Sequence, residues 1–184
     1  MLRLSSRRSS RMDVLTLQGR EEAFVLRDYR ESDADNVNRV AHAAFAEFKE
    51  SYCDWPTMVR NVSRMAALAR DGELVVAECA GEIRGAVVYI PPGRPRADFF
   101  EREWPIIRML VVEPAGRGRG LGRALTEACL ARAERDGADA IALHTSPIMT
   151  VALAMYLRLG FTLARDAPAV LGVPYAVYLK SLGS

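Results

Sequence analysis

The spacing of apolar residues along the chain changes period several times, and each change marks an element. Ala23 to Arg27 reads as a short strand. Ser32 and Asp33 suit a helix N-cap, and after them Val37, Val40, Ala41, Ala44, Phe45 and Phe48 recur at helical spacing. A second helical pattern spans Pro56 to Arg70, carrying Met58, Val59, Val62, Met65, Ala66 and Leu68, and Asp71-Gly72 breaks it. Two runs, Leu74 to Ala80 and Ile83 to Ile90, flank Gly81-Glu82 and read as a hairpin. The prolines at 91, 92 and 95 stop the second strand. The connection then runs through Asp98, Phe99, Phe100, Glu101, Arg102, Glu103 and Trp104 to Pro105, and its retained aromatics and charges suit a binding loop.

Ile106 to Val112 has the length and β-branched content of a buried strand, and Pro114 ends it because it brings no N–H to a ladder. A helix follows from Leu121, with Leu125, Ala128 and Cys129 on one face, and Gly137 stops it. Asp139 to Thr145 is the next strand. Ser146-Pro147 supplies a cap and a helix-starting proline. The helix from Ile148 to Leu159 carries Arg158 as its only charge, which predicts that it is largely buried. Gly160 closes it, and Phe161 to Ala164 and Val173 to Leu179 supply two closing strands.

The segment Pro114 to Arg123 is where chemistry concentrates. Gly116, Gly118, Gly120 and Gly122 alternate with Arg117, Arg119 and, at the end, Arg123. Glycines let successive backbone N–H groups point at one guest, and a helix start adds unpaired donors and partial positive charge. Strand, glycine loop and helix start together make an anion cradle suited to a diphosphate. Two common loops are excluded by spacing. A P-loop ends Gly-Lys-Ser/Thr, whereas this one ends Gly122-Arg123-Ala124. The dinucleotide pattern G-x-G-x-x-G, read from Gly118 and Gly120, needs glycine where Arg123 stands.

What remains is Arg117-Gly118-Arg119-Gly120-Leu121-Gly122, an R-x-x-G-x-G pattern, preceded by Leu110-Val111-Val112-Glu113-Pro114. This segment resembles the acetyl-CoA-binding motif of the GNAT family, the GCN5-related N-acetyltransferases. A second piece, Ala152-x-x-x-Tyr156-x-x-x-Gly160-Phe161, resembles that family's N-x-x-A-x-x-x-Y-x-x-x-G-F pattern. The resemblance implies an α/β (α+β) fold: a central mixed, mostly antiparallel sheet of about seven strands flanked by about four helices. It implies acetyl-CoA as co-substrate and a primary amine of a small molecule or peptide as acceptor. It assigns cofactor contacts to Leu110, Val111, Val112, Arg117, Gly118, Arg119, Gly120, Leu121, Gly122 and Arg123, and a catalytic role to Tyr156. In such a site the tyrosine lies near the thioester sulfur. A phenol, neutral at pH 7, can donate to a departing thiolate.

The chain also departs from the family. Met149 stands where the family places an asparagine against the pantetheine arm, and the strand before Leu110 reads Ile106-Ile107-Arg108 where many members carry a glutamate base. Glu101, Glu103 and His144 are the remaining candidate bases. These departures also motivate a competing reading, a non-catalytic acyl-CoA-binding module.

Composition narrows the picture further. A chain of 184 residues, half of them hydrophobic, suits one domain over 21–184, preceded by a basic tail over 1–20 that is expected to be flexible. The net charge of +2 gives no case for nucleic-acid binding. Cys53, Cys79 and Cys129 share no metal-ligand spacing, which points to a reduced, cytoplasmic protein without a metal site. No apolar stretch reaches membrane-spanning length. The expected assembly is compatible with a homodimer.

Overall fold

A computed structural model describes residues 23–183; the expected basic tail over 1–20 lies outside them. Among the described residues are seven strands, β1 (Phe24–Asp28), β2 (Glu73–Cys79), β3 (Glu82–Ile90), β4 (Ile106–Val112), β5 (Ala140–Thr145), β6 (Thr162–Val170) and β7 (Val173–Ser181). Four α-helices accompany them: α1 (Ala34–Phe45), α2 (Trp55–Val62), α3 (Leu121–Arg135) and α4 (Thr150–Arg158). The strands form one sheet in the order β1-β2-β3-β4-β5-β7-β6. Every neighbour pair is antiparallel except β4 and β5. The expected fold class and strand count are those observed.

The period of two along β2 and β3 explains the layering. Leu74, Val76, Ala86, Val88 and Ile90 point to one face, where α1, α2 and the 3-10 turn Met65–Arg70 cover them. Val75, Ala77, Val87 and Tyr89 point to the other, against Leu121, Leu125, Cys129 and Ala133 of α3. Because both faces are covered, the central strands read as nearly unbroken apolar runs.

Local chemistry moved several boundaries. Asp33 precedes α1 but does not cap it; its carboxylate accepts two hydrogen bonds from Arg27 (2.7 and 3.0 Å) and one from the Arg30 N–H (2.8 Å). The expected extension of the first helix to Phe48 is a 3-10 turn, Ala46–Ser51. The expected helix from Pro56 to Arg70 is two pieces, because after Val62 the chain turns and the Ala66 N–H bonds instead to the Asn38 side chain (2.9 Å). The β2–β3 turn falls at Ala80-Gly81, both at positive φ (49° and 83°), one residue earlier than expected. The strand expected to end at Ala164 continues to Val170 before turning at Leu171-Gly172.

The largest departure concerns α4. It is not largely buried: among its residues only Tyr156 is, while Val151 and Leu157 are exposed. Apolar composition all round a helix signals burial only when neighbours exist on every side, and α4 lies beside an open cleft.

Candidate active site

The site follows from how β4 meets its two neighbours. Toward β5 the ladder contains only Ile106 opposite Ala142 and Ile107 opposite Leu143. Beyond these the two strands part, and the β5-facing edge of β4 from Arg108 to Val112 has no strand partner there. Toward β3 the register slips: Ala86 pairs with Val111 but Val88 with Arg108, so Val87 faces both Met109 and Leu110. This is a β-bulge, with Met109 at φ 53°. Its consequence is visible in the core. Ile106 and Val111, five residues apart, pack on the same face of the sheet, which an unbroken strand forbids.

On one side of the parting lies a cleft of about 590 Å³, lined by Leu110, Val111, Val112, Arg117, Gly118, Gly120, Leu121, Gly122 and Arg123, and by Met149, Val151, Ala152 and Met155 from the α4 side. Nine of the ten residues assigned to the cofactor by resemblance are brought together here; Arg119 is not among the lining residues. Gly118 and Gly120 adopt φ of 78° and 77°, and Gly120 is the residue from which α3 starts. A Cβ at either would meet nothing within 4 Å. The first intrahelical bond is from the Ala124 N–H to the Gly120 carbonyl (2.9 Å), which leaves the N–H groups of Leu121, Gly122 and Arg123 without helical acceptors. The glycine loop and helix start thus present three backbone donors without helical acceptors, the chemistry an anion would need.

The arginines behave differently from the backbone. Arg117 reaches across the cleft mouth to Glu47 (2.9 Å) and donates to the Ala44 carbonyl (3.3 Å), tying the loop to the end of α1. Arg123 pairs with Glu127 one turn along α3 (2.7 Å). Beneath the loop, Glu113 is buried and accepts from Arg39 (2.7 Å) and from Arg84, while its N–H donates to the Arg84 carbonyl (3.0 Å). Burial opposes ionisation of Glu113, but the bonds from Arg84 and Arg39 outweigh it and hold the carboxylate below its ordinary range. This network fixes the end of β4 relative to the glycine loop. Sequence reading missed it, because nothing local pairs Glu113 with partners 74 and 29 residues away.

A second cleft of about 610 Å³ opens on the other side and shares Phe45, Leu110, Met149 and Ala152 with the first. Tyr156 lines this second cleft. Its ring packs edge-on against Phe161 (5.6 Å between centroids), burial pushes its pKa up, and its hydroxyl has no hydrogen-bond partner among the described residues. An uncommitted neutral phenol can donate to a guest. Met149 is the residue from which α4 starts, and its sulfur accepts from the Thr145 hydroxyl (3.7 Å).

Of the three candidate bases, His144 alone reaches a cleft. Its Nδ1 is buried with no hydrogen-bond partner. Its ring lies between Phe99 (5.4 Å), Phe100 (5.8 Å) and Tyr175 (5.1 Å), and Tyr175 is in turn hydrogen-bonded to Tyr52 (2.7 Å). Burial, aided by the positive charge of Arg108, pushes the imidazole pKa down to about 4, so the ring is neutral at pH 7. Glu101 instead pairs with Arg165 (2.8 Å), and neither Glu101 nor Glu103 lines either cleft. The long 91–105 connection thus backs His144 through Phe99 and Phe100. Arg96 laces it down through the carbonyls of Pro91 (2.8 Å), Glu101 (3.1 Å) and Trp104.

No group of three or more His, Cys, Asp or Glu among the described residues could hold a metal ion, and no described helix is long and apolar enough to cross a membrane.

Comparison with known proteins bears on the fold and the family. The mycothiol acetyltransferase of Salinispora arenicola (strain CNS-205) is 32% identical over 151 residues, an alignment covering 76% of this chain and 45% of that protein. The chain thus spans less than half the length of that curated relative. Among solved structures, yncA from Salmonella typhimurium, determined with its cofactor acetyl-CoA, superposes with a TM-score of 0.66 at 19% identity, covering 88% of this chain and 95% of its own. A GNAT family acetyltransferase from Brucella melitensis in complex with acetyl-CoA superposes with a TM-score of 0.62 at 23% identity, covering 89% of this chain and 91% of its own. At such identities the two structures speak for the fold. The sequence pattern of the Acetyltransferase (GNAT) family matches residues 27–161, most of the chain, including both clefts' shared wall. This chain belongs to the GNAT acetyltransferase family.

Proposed function

We propose that the protein transfers the acetyl group of acetyl-CoA to a primary amine of a small molecule or peptide. The observation that carries this reading is the meeting of the two clefts at Leu110, Met149 and Ala152. One cleft offers bare backbone donors for a phosphorylated carrier, and the other offers Tyr156 and His144 for the reacting ends.

In this reading the N–H groups of Leu121, Gly122 and Arg123 hold the diphosphate of acetyl-CoA, and the unpaired edge of β4 from Leu110 to Val112 receives its pantetheine arm as an added strand. The co-substrate supplies an activated acyl group on sulfur. Met149 replaces a polar contact to that arm with an apolar one. An amide of the bulged stretch after Met109 donates to the carbonyl oxygen as charge develops there. The amine nitrogen forms its bond to the acyl carbon while the carbon–sulfur bond breaks, and Tyr156 gives the departing sulfur its proton. The amine's surplus proton passes to water in the open second cleft, and that water returns a proton to the Tyr156 oxygen, so the phenol is restored and the amine's proton balances the one carried off by sulfur. His144 can accept a hydrogen bond there but, with its pKa near 4, retains a proton poorly. Alignment of the two reactants supplies several kcal/mol of the rate.

The cytoplasm is the setting we infer: acetyl-CoA is available there, and Cys53, Cys79 and Cys129 are all free thiols. Release of free CoA thiol on offering acetyl-CoA with a panel of amines tests the activity. Release with at least one amine supports transfer. Tight acetyl-CoA binding with no thiol release across the panel replaces it with a non-catalytic acyl-CoA-binding module.

A further inference from the structure

The second cleft has a charge that the transfer reaction does not require. Arg64, Arg70 and Arg108 all line it, each exposed, and none has an acidic side-chain partner among the described residues. Many arginines elsewhere pair with acids, Arg27 with Asp33, Arg117 with Glu47 and Arg135 with Glu73, and others such as Arg96 bond carbonyls; here it is the clustering of three on one wall that stands out. Asp71 is the single acid on the wall of this cleft, so with a neutral His144 the lining carries an excess of two positive charges. The arginines come from two separate segments, Arg64 and Arg70 flanking or ending the 3-10 turn Met65–Arg70 and Arg108 on β4 just before the bulge. Between these charges the wall is apolar, with Met58, Leu68 and Val170 among its members.

A second, independent observation points to a polar guest. His144 lines the same wall, and its Nδ1 has no hydrogen-bond partner among the described residues, so the protein leaves a polar group of this wall unsatisfied.

Resting on the transfer reading above, we infer that the acceptor is a small amine that also bears an acidic group, a carboxylate or phosphate, which Arg64, Arg70 and Arg108 receive while His144 accepts from the amine. A cleft of about 610 Å³ suits a small molecule. The same charges do two further things. They disfavour purely cationic acceptors such as polyamines, whose ammonium groups meet like charge. They also favour the neutral form of any amine held near Arg108, which is the form that attacks a carbonyl. A cleft with no strong base can therefore still present a nucleophile.

The test is calorimetry on the free and the CoA-saturated protein with two matched pairs: L-leucine against isoamylamine, and phosphoethanolamine against ethanolamine. The acid-bearing member of at least one pair is expected to bind about tenfold or more tighter, the scale of one charge-assisted contact. The pair that shows the preference distinguishes carboxylate from phosphate. The triple variant Arg64→Gln, Arg70→Gln, Arg108→Gln, at three exposed positions, is expected to remove the preference with its melting transition intact. Equal or reversed affinities in both pairs, no binding by any of the four, or a preference that survives the variant would each overturn the inference. Thiol release is read separately. Preference without release keeps this inference and rejects transfer, whereas release without preference does the reverse.

Discussion

The two clefts on either side of the parted strands are nearly equal in size and opposite in construction. The first presents main chain along its β4–α3 wall: glycines at positive φ, a helix start with idle donors, and a strand edge without a neighbour. Its side-chain charges are largely occupied with one another, Arg117 with Glu47 and Arg123 with Glu127. The second is made of side chains from widely separated segments, with an orphaned imidazole, a free phenol and three arginines that form no ion pair among the described residues. The contrast teaches how one fold can hold a constant carrier while its partner varies. Backbone donors read a phosphate whatever the neighbouring side chains, whereas a side-chain wall can be rewritten residue by residue.

Blocking the main-chain cleft gives the largest effect. Gly122→Val adds a branched side chain to the first turn of α3, where the nearest atom to a Cβ is the Met155 sulfur at an ordinary 3.6 Å, so the variant folds without backbone strain. Acetyl-CoA affinity by calorimetry is expected to fall about a hundredfold, as is that of Gly120→Val, which adds strain at φ 77°. Unchanged affinity in both folded variants would remove the cradle from the first cleft. Tyr156→Phe is expected to lower kcat about a hundredfold with acetyl-CoA affinity retained; equal turnover would return this residue to a packing role.

Glu113→Ala tests the joint between strand and loop. It leaves Arg84 and Arg39 without their shared acid, and a loss of about 2 kcal/mol in denaturant unfolding is expected. Because the carboxylate is held below its ordinary range, that stability is present above the unfolded carboxylate pKa and fades as pH falls through the lower folded value. The variant should therefore differ least from the parent in acid.

The smallest effect is at His144, whose pKa is pushed down to about 4 from an ordinary 6.5. Below pH 6.5 the unfolded chain takes up a proton that the folded ring refuses, so the fold loses stability from 6.5 down to about 4 and the loss levels off there. His144→Gln should flatten that decline by an amount on the order of 1 kcal/mol, allowing for solvent near the ring. An unaltered slope would mean that the imidazole is not shielded as described.

Legibility divides along the same line as the clefts. The main-chain cleft was readable because its parts are contiguous: a strand, a proline, alternating glycines and a helix follow one another between Ile106 and Arg135. The mixed, mostly antiparallel sheet of about seven strands rests on a likeness to known folds rather than on spacing, and the strand order and the parting of β4 from β5 were not readable at all. The bulge at Met109 was not readable, since Ile106-Ile107-Arg108-Met109-Leu110 contains no glycine or proline to announce it. Nor was the second cleft, because Arg64, Arg108 and His144 meet only after the chain has folded. The burial expected for α4 failed for a related reason. Apolar composition records what a helix can tolerate, and the open flank at Val151 is a matter of what stands next to it.

The two-rung ladder between Ile106–Ile107 and Ala142–Leu143 has a mechanical corollary. It makes the hydrogen-bonded seam between the four-strand half and the three-strand half of the sheet the shortest stitch in the ladder. A molecule lying in the gap and bonding to the bare rim of β4 would lengthen that stitch, so occupancy should slow amide exchange along Arg108–Val112 and raise the melting temperature together.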